Sequence, residues 1–137
     1  MAAAKDADIF ISAAAVADYR VEEIAEQKIK KQDESISIKL RKNPDIISTV
    51  ASTYKQLFVV GFAAETENIE GFATEKLKRK KLNAIIVNDV SREDIGFDSD
   101  DNEVCWIDNQ SCQALGKKSK SQLARDIVAL IAANFGD

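Results

Sequence analysis

The sequence contains no histidine. Within these residues that excludes every mechanism needing an imidazole as base, relay or metal ligand, the serine–histidine and cysteine–histidine arrangements among them. Cys105 and Cys112 stand seven apart, matching neither the close spacing of a redox pair nor a zinc knuckle. With no secretory leader at the start, two scattered thiols fit a reducing cytoplasm, the expected compartment. Proline occurs once, at Pro44, and the five glycines are scattered, so no interdomain linker is visible. Neither GxxxxGK[ST] nor GxGxxG is present, which removes the two commonest glycine-rich phosphate cradles. No apolar run approaches the length of a membrane span. The net charge of -4 argues against a nucleic-acid or anionic-membrane partner, which a basic surface would serve.

What is there suffices for one domain: 137 residues, of which 45% are hydrophobic, can bury a core. "MAAAKDADIFIS" reads as the tail of an alanine-rich helix, a turn and a strand, so Met1 is expected to lie inside a longer protein. "DIFISAAAVAD" (8–18) opens as a buried strand of a parallel sheet, and "LFVVGF" (57–62) and "NAIIVNDV" (83–90) repeat that signature. "EEIAEQKIKKQDES" (22–35) is polar and aperiodic, a mobile loop, whereas "ISIKL" (36–40) alternates as a half-buried strand. In "KNPDIISTVAS" Asn43 is the expected N-cap, Pro44 the first helical residue and Asp45 the complement to the positive dipole end. A basic helix is expected over about 67–81. A turn and at least one strand follow in 92–108, and an amphipathic helix over 119–135 presents Leu123, Ile127, Leu130 and Ile131 on one face. This alternation predicts an α/β fold, a Rossmann-like three-layer sandwich with a mostly parallel sheet.

Ligands of such sheets collect beyond the carboxyl ends of the strands. Asp18, Glu65, Thr66, Asn88 and Asp89 all fall just past a strand end, where turn and cap roles compete with binding roles. The helix start at 43–47 offers free backbone N–H groups for an anion or a carbonyl, or is simply capped. "DSDDNEVCWIDN" (98–109) imitates a calcium loop at its first, third and fifth positions. It then places Glu103 where the turn needs glycine and Asn109 where the bidentate glutamate belongs, so that reading is rejected. The basic helix carries a conflict. On a helical projection Ile69, Phe72, Ala73 and Leu77 share one arc, with Lys76 and Lys80 in its middle. Their stems can lie on apolar surface with the ammonium groups in water. Alternatively, two inward ammonium groups one turn apart are reconciled by an anion between them, and a polyphosphate would serve.

Taken together, "AAVADYR" (14–20), "KIKK" (28–31), "KNPDI" (42–46), "VVGFAAET" (59–66), "EKLKRKK" (75–81), "NDV" (88–90) and "GFDSDDN" (96–102) resemble phosphopantothenate–cysteine ligase. That enzyme is the synthetase half of the bifunctional bacterial coenzyme A biosynthesis flavoprotein, and the likeness runs in order over nearly the whole chain. It implies a CTP-dependent ligase that joins 4′-phosphopantothenate to cysteine through an acyl cytidylate, with Mg²⁺ and lysines stabilising phosphate charge. It further implies that Ser12, Ala13, Ala14 and Asp18 form the nucleotide-binding strand end and that Lys28 closes over the phosphates as the catalytic residue. By the same resemblance Pro44, Asp45, Ile46 and Ile47 read the base, Phe62 lies against the nucleotide, and Lys76 and Lys80 reach CTP. No metal ligand is identified. The family's glycine-rich amino-terminal segment and its flavin decarboxylase, which carries FMN, have no counterpart in residues 1–137. A single domain, the carboxy-terminal part of the synthetase and incomplete for turnover alone, is therefore expected. A homodimer is expected too. The competing expectation is a nucleotide-binding regulatory or structural α/β module without catalysis.

Overall fold

The computed structural model describes residues 2–14, 16–23, 34–90 and 101–136. Its chain order begins with a short 3-10 helix, Ala2–Ala4, and the strand β1 (Ile9–Ser12). Next come β2 (Tyr19–Val21), β3 (Leu40–Lys42), helix α1 (Ile46–Thr53), β4 (Phe58–Glu65) and helix α2 (Ile69–Arg79). The order closes with β5 (Ala84–Asp89), β6 (Asp101–Asp108), β7 (Cys112–Ser119) and helix α3 (Lys120–Phe135). Five strands form one sheet in the order β1-β4-β5-β6-β7. β1, β4 and β5 are parallel; β6 runs against β5, and β7 against β6, so all but β6 point the same way.

The apolar residues alternate between the two faces of this sheet, as a two-residue period requires. Val59, Ile85, Val87 and Ile107 pack with Val50 and Ala51 of α1 and with Ala73 and Leu77 of α2. Their neighbours Val60, Ala84, Ile86 and Trp106 point the other way, onto Leu123, Ile127 and Ile131 of α3. Two helical layers on a central sheet give the expected three-layer sandwich. β4 runs three residues past the "LFVVGF" signal because β5 continues to pair with it through Ala64↔Asn88 and Glu65↔Asp89. α3 starts where Ser119 accepts a hydrogen bond from the backbone N–H of Gln122. Among the described residues no helix is long and apolar enough to cross a membrane.

Three local expectations are corrected, and one strand, β7, was not anticipated. "ISIKL" is not a half-buried strand: only Leu40 enters β3, while Ile36, Ile38 and Leu40 are all exposed. β3 pairs antiparallel with β2 in a separate two-stranded sheet, with Tyr19 opposite Lys42. β1 is an edge strand among the described residues, so Ile11 is 46% exposed rather than buried. Phe72 is also largely exposed, which narrows the buried line of α2 to Ile69, Ala73 and Leu77. β7 lacks a strand signal because its outer position leaves only Leu115 to bury. Its pairing with β6 slips beside Val104, opposite Leu115 and Gly116, and Gly116 takes the left-handed φ of 78° that such a bulge favours.

Candidate functional site

The sandwich opens at the carboxyl ends of β1, β4 and β5 into a cavity of about 450 Å³. That is the crevice where open α/β sheets bind ligands, and the volume suits a small molecule. Ser12, Ala13, Ala14 and Asp18 reach it from the end of β1 and the segment after it. Pro44, Asp45, Ile46 and Ile47 contribute the entry to α1, Phe62 comes from β4, and Lys76 and Lys80 come from α2 and its end. Lys28 and the rest of "KIKK" lie outside the described residues, as do residues 96–100 of "GFDSDDN". Every other residue nominated as a nucleotide contact thus borders one cavity, whereas the strand-end candidates Glu65, Thr66 and Asp89 do not line it. Phe62 is 44% exposed there, an aromatic surface left open on the cavity wall.

The two lysines are placed differently from the helical projection. With Phe72 turned outward, Lys76 flanks the buried line, and Lys80 follows the last helical residue as the C-cap. Neither needs a bound anion to be tolerated, because each meets a carboxylate. Lys76 Nζ donates to Glu65 Oε1 at 2.7 Å, and Lys80 Nζ lies 3.1 Å from Asp45 Oδ2. Both side chains are roughly one-third or less exposed and border the cavity, so they are neither buried nor solvated freely. Lys80 also sits at the negative end of the α2 dipole, which favours its charge.

The α1 entry departs from the expected cap. Asp45, not Asn43, is the N-cap: its Oδ1 accepts from the Ser48 N–H at 3.2 Å, and the helix begins at Ile46. Pro44 therefore precedes the cap instead of opening the helix. Asn43 is used elsewhere. Its Nδ2 donates to the Ala17 carbonyl at 2.7 Å and its Oδ1 accepts from Arg20 at 2.9 Å, tying the chain after β1 to the start of α1. Burial would raise the Asp45 pKa, but the Ser48 N–H and the Lys80 ammonium more than offset it, and the carboxyl lies below the usual range. Asp45 is thus an anion shared between a helix start and a helix end.

Three residues bear on the site beyond those nominated. Lys42, the last residue of β3, borders the cavity as a third ammonium; in the sequence it is one lysine among many. Asn88, flagged only as a strand-end residue, borders it from β5, and its Oδ1 is buried with no hydrogen-bond partner. Buried acceptors in that state are uncommon and are satisfied when a donor arrives. Glu65 stands behind Lys76, one step outside the lining. Gly61 explains how closely α1 approaches: a Cβ there would come within 3.0 Å of Ile47 and Leu82. Among the described residues no group of three histidine, cysteine, aspartate or glutamate side chains is arranged to hold a metal. Cys105 and Cys112 lie apart from this crevice, on a smaller cavity beside α2. Burial pushes both thiols up, with Glu70 adding to the rise, so neither is a thiolate nucleophile at neutral pH.

Residues 1–135 match the family model described as the DNA/pantothenate metabolism flavoprotein C-terminal domain. The Coenzyme A biosynthesis bifunctional protein CoaBC of Vibrio vulnificus (strain CMCP6) is 49% identical over 139 residues, covering 99% of this chain and 35% of its own length. The protein of that name from Escherichia coli (strain K12) is 45% identical over 123 residues, covering 85% of this chain and 30% of its own. Among solved structures, the C-terminal domain of a Coenzyme A biosynthesis bifunctional protein CoaBC superposes with a TM-score of 0.72 at 30% identity, covering 93% of this chain and 55% of that one. The chain therefore spans about a third of the length of the curated relatives it matches.

Proposed function

The chain belongs to the DNA/pantothenate metabolism flavoprotein C-terminal domain family, and from that premise we propose that it carries the nucleotide-holding part of a CTP-dependent ligase joining 4′-phosphopantothenate to cysteine. In the first step the phosphopantothenate carboxylate attacks the α-phosphorus of CTP, and pyrophosphate leaves. In the second the cysteine amine attacks the acyl carbon of the mixed anhydride, CMP leaves, and the amide forms. Both steps move negative charge among phosphate oxygens, so fixed ammonium groups do more here than an acid–base pair would. That agrees with a chain that lacks histidine.

One observation carries the reading: the residues nominated as CTP contacts, Lys28 aside, border a single cavity at the carboxyl ends of the parallel strands. Lys76, Lys80 and Lys42 supply positive charge for the triphosphate. Lys28, on the "KIKK" segment, is the proposed catalytic lysine of cytidylyl transfer. Phe62 offers a face to stack on the base or ribose, and the backbone at Pro44–Ile47 offers groups to read the cytosine edge, the proposed basis for CTP over ATP. The unpaired acceptor of Asn88 suits a nucleoside donor such as an amine or a hydroxyl. Mg²⁺ is commonly bound through one or two carboxylates and the substrate's phosphates. Asp18 is the cavity carboxylate suited to that role, since Asp45 is committed to Lys80 and Ser48. Bound there, the ion would supply charge neutralisation at the phosphates.

The rest of the enzyme lies in the part of the relatives that this chain does not span. The glycine-rich segment that handles the phosphopantothenoyl group and the FMN-dependent decarboxylase are assigned to it, and these residues alone do not turn over. The exposed apolar side chains of Tyr19, Val21 and Leu40 on β2 and β3, with Ile36 and Ile38 beside them, suit a homodimer contact. A cytoplasmic enzyme is proposed, in keeping with the free cysteines.

Thermal melts with CTP and Mg²⁺ test the reading. At a hundredfold excess over its Kd, CTP should add about 2.7 kcal/mol of stability. Lys76→Ala or Lys80→Ala should remove most of that gain without unfolding the protein, and the unliganded melt of Lys80→Ala, whose partner Asp45 is the more exposed carboxylate, should stay within about 1 kcal/mol of the parent. A parent chain that gains nothing from CTP refutes the proposal.

A further inference from the structure

We infer that Glu65 is a positioning residue for Lys76, fixing its ammonium on the cavity wall so that the remaining donors face the nucleotide's phosphates; this rests on the nucleotide reading above. Glu65 ends β4, where its backbone is held to β5 and to the residue that follows that strand. It pairs with Asp89 of β5, and its carbonyl accepts from the Val90 N–H at 3.1 Å. Its side chain is only 16% exposed and meets Lys76 at 2.7 Å. A carboxylate so placed is itself pinned, and can pin a lysine whose flexible stem would otherwise sweep many rotamers.

Two contrasts mark this pair out from the neighbouring one. Asp45 divides its carboxylate between Lys80 and the Ser48 N–H, and its side chain is more exposed than that of Glu65. Asp45 also borders the cavity, whereas Glu65 does not. Glu65 therefore reaches a ligand only through Lys76. An ammonium carries three N–H donors, and the bond to Glu65 engages one. Two effects oppose each other. The fixed carboxylate repels phosphate, and it removes the disorder that the lysine would lose on binding. Glutamine separates them, because its carbonyl still accepts from the ammonium but carries no charge.

The test is a calorimetric CTP titration, with Mg²⁺, of the parent chain, Glu65→Ala, Glu65→Gln, Lys76→Ala and the double variant Glu65→Ala/Lys76→Ala. Releasing one long side chain should weaken CTP about 2- to 10-fold in Glu65→Ala. Glu65→Gln should stay within about threefold of the parent, or bind more tightly, because the acceptor is kept and the repulsion removed. In the Lys76→Ala background the Glu65 substitution should have no further effect, the signature of two residues acting as one. If Glu65→Ala does not fold, Glu65→Asp, one methylene too short to reach, takes its place in every arm. An unchanged affinity in Glu65→Ala overturns the inference. So does an equal loss with and without Lys76, which would indicate a merely structural role. A parent chain that binds no CTP fails at the first titration and removes the nucleotide reading itself, whereas a parent that binds with additive substitutions sinks only the role of Glu65.

Discussion

Replacing Asp45 with alanine should destabilise the fold by about 1.5 kcal/mol, and the reasoning can be worked from its two contacts. The first is the N-cap bond to the Ser48 N–H at 3.2 Å, and loss of such a cap costs about 1 kcal/mol. The second is the Lys80 pair at 3.1 Å. Its side chains are 26% and 42% exposed, so solvent screening limits it to about 0.5 kcal/mol. Asparagine caps as well as aspartate but carries no charge, so Asp45→Asn should lose only about 0.5 kcal/mol. Urea unfolding distinguishes the two: with a slope of roughly 1.5 kcal/mol/M, the alanine midpoint falls by about 1 M and the asparagine midpoint by about a third of that. A pH series adds a second arm. The folded pKa of Asp45 is depressed, so its ionisation stabilises the fold above the unfolded value of roughly 3.9 and that contribution disappears as pH falls through the lower folded value. The stability gap between parent and Asp45→Asn should therefore be constant above about pH 5 and close toward pH 2. An asparagine variant as weak as alanine would refute the cap, and a gap that persists in acid would refute the ion pair.

Other expectations concern the cavity wall. Asn88→Leu should leave the unliganded fold as stable or raise it by about 1 kcal/mol, since an unpaired buried acceptor is replaced by an apolar group of similar shape. The same variant should lose CTP affinity about tenfold, the loss of a donor–acceptor contact of about 1.4 kcal/mol; unchanged binding by titration would remove Asn88 from the site. Gly61→Val should cost about 1–3 kcal/mol by overpacking, because its Cβ alone would meet Ile47 and Leu82 at 3.0 Å. Since Ile47 borders the cavity, CTP affinity should fall with it, and a neutral valine variant would show that α1 is free to shift.

Much of the sheet was legible because its inner strands are buried on both faces. β4 and β5 lie between helical layers, so "FVVGF" and "AIIV" are continuous apolar runs with a simple reading. β7 and the β2–β3 ribbon were not legible, because one side or both faces meet solvent and their residues are selected for other reasons. The α1 cap failed for a related cause. Asn43, Pro44 and Asp45 all suit a helix entry locally, but the Asn43 side chain is taken up by the Ala17 carbonyl and Arg20, 26 and 23 residues away, and Asp45 caps a helix that starts at Ile46. Long-range partners of that kind leave no periodic trace.

By itself the sequence determined the α/β alternation, the lack of any imidazole within these 137 residues and the order of motifs that placed the chain in its family, since these depend on residue type and near spacing alone. It also brought Lys76 and Lys80 to notice. Only the tertiary structure decided why they are tolerated there. Glu65 and Asp45 come from elements separated along the chain, and a charge is stabilised by what lies within a few ångströms of it, not by its sequence neighbours.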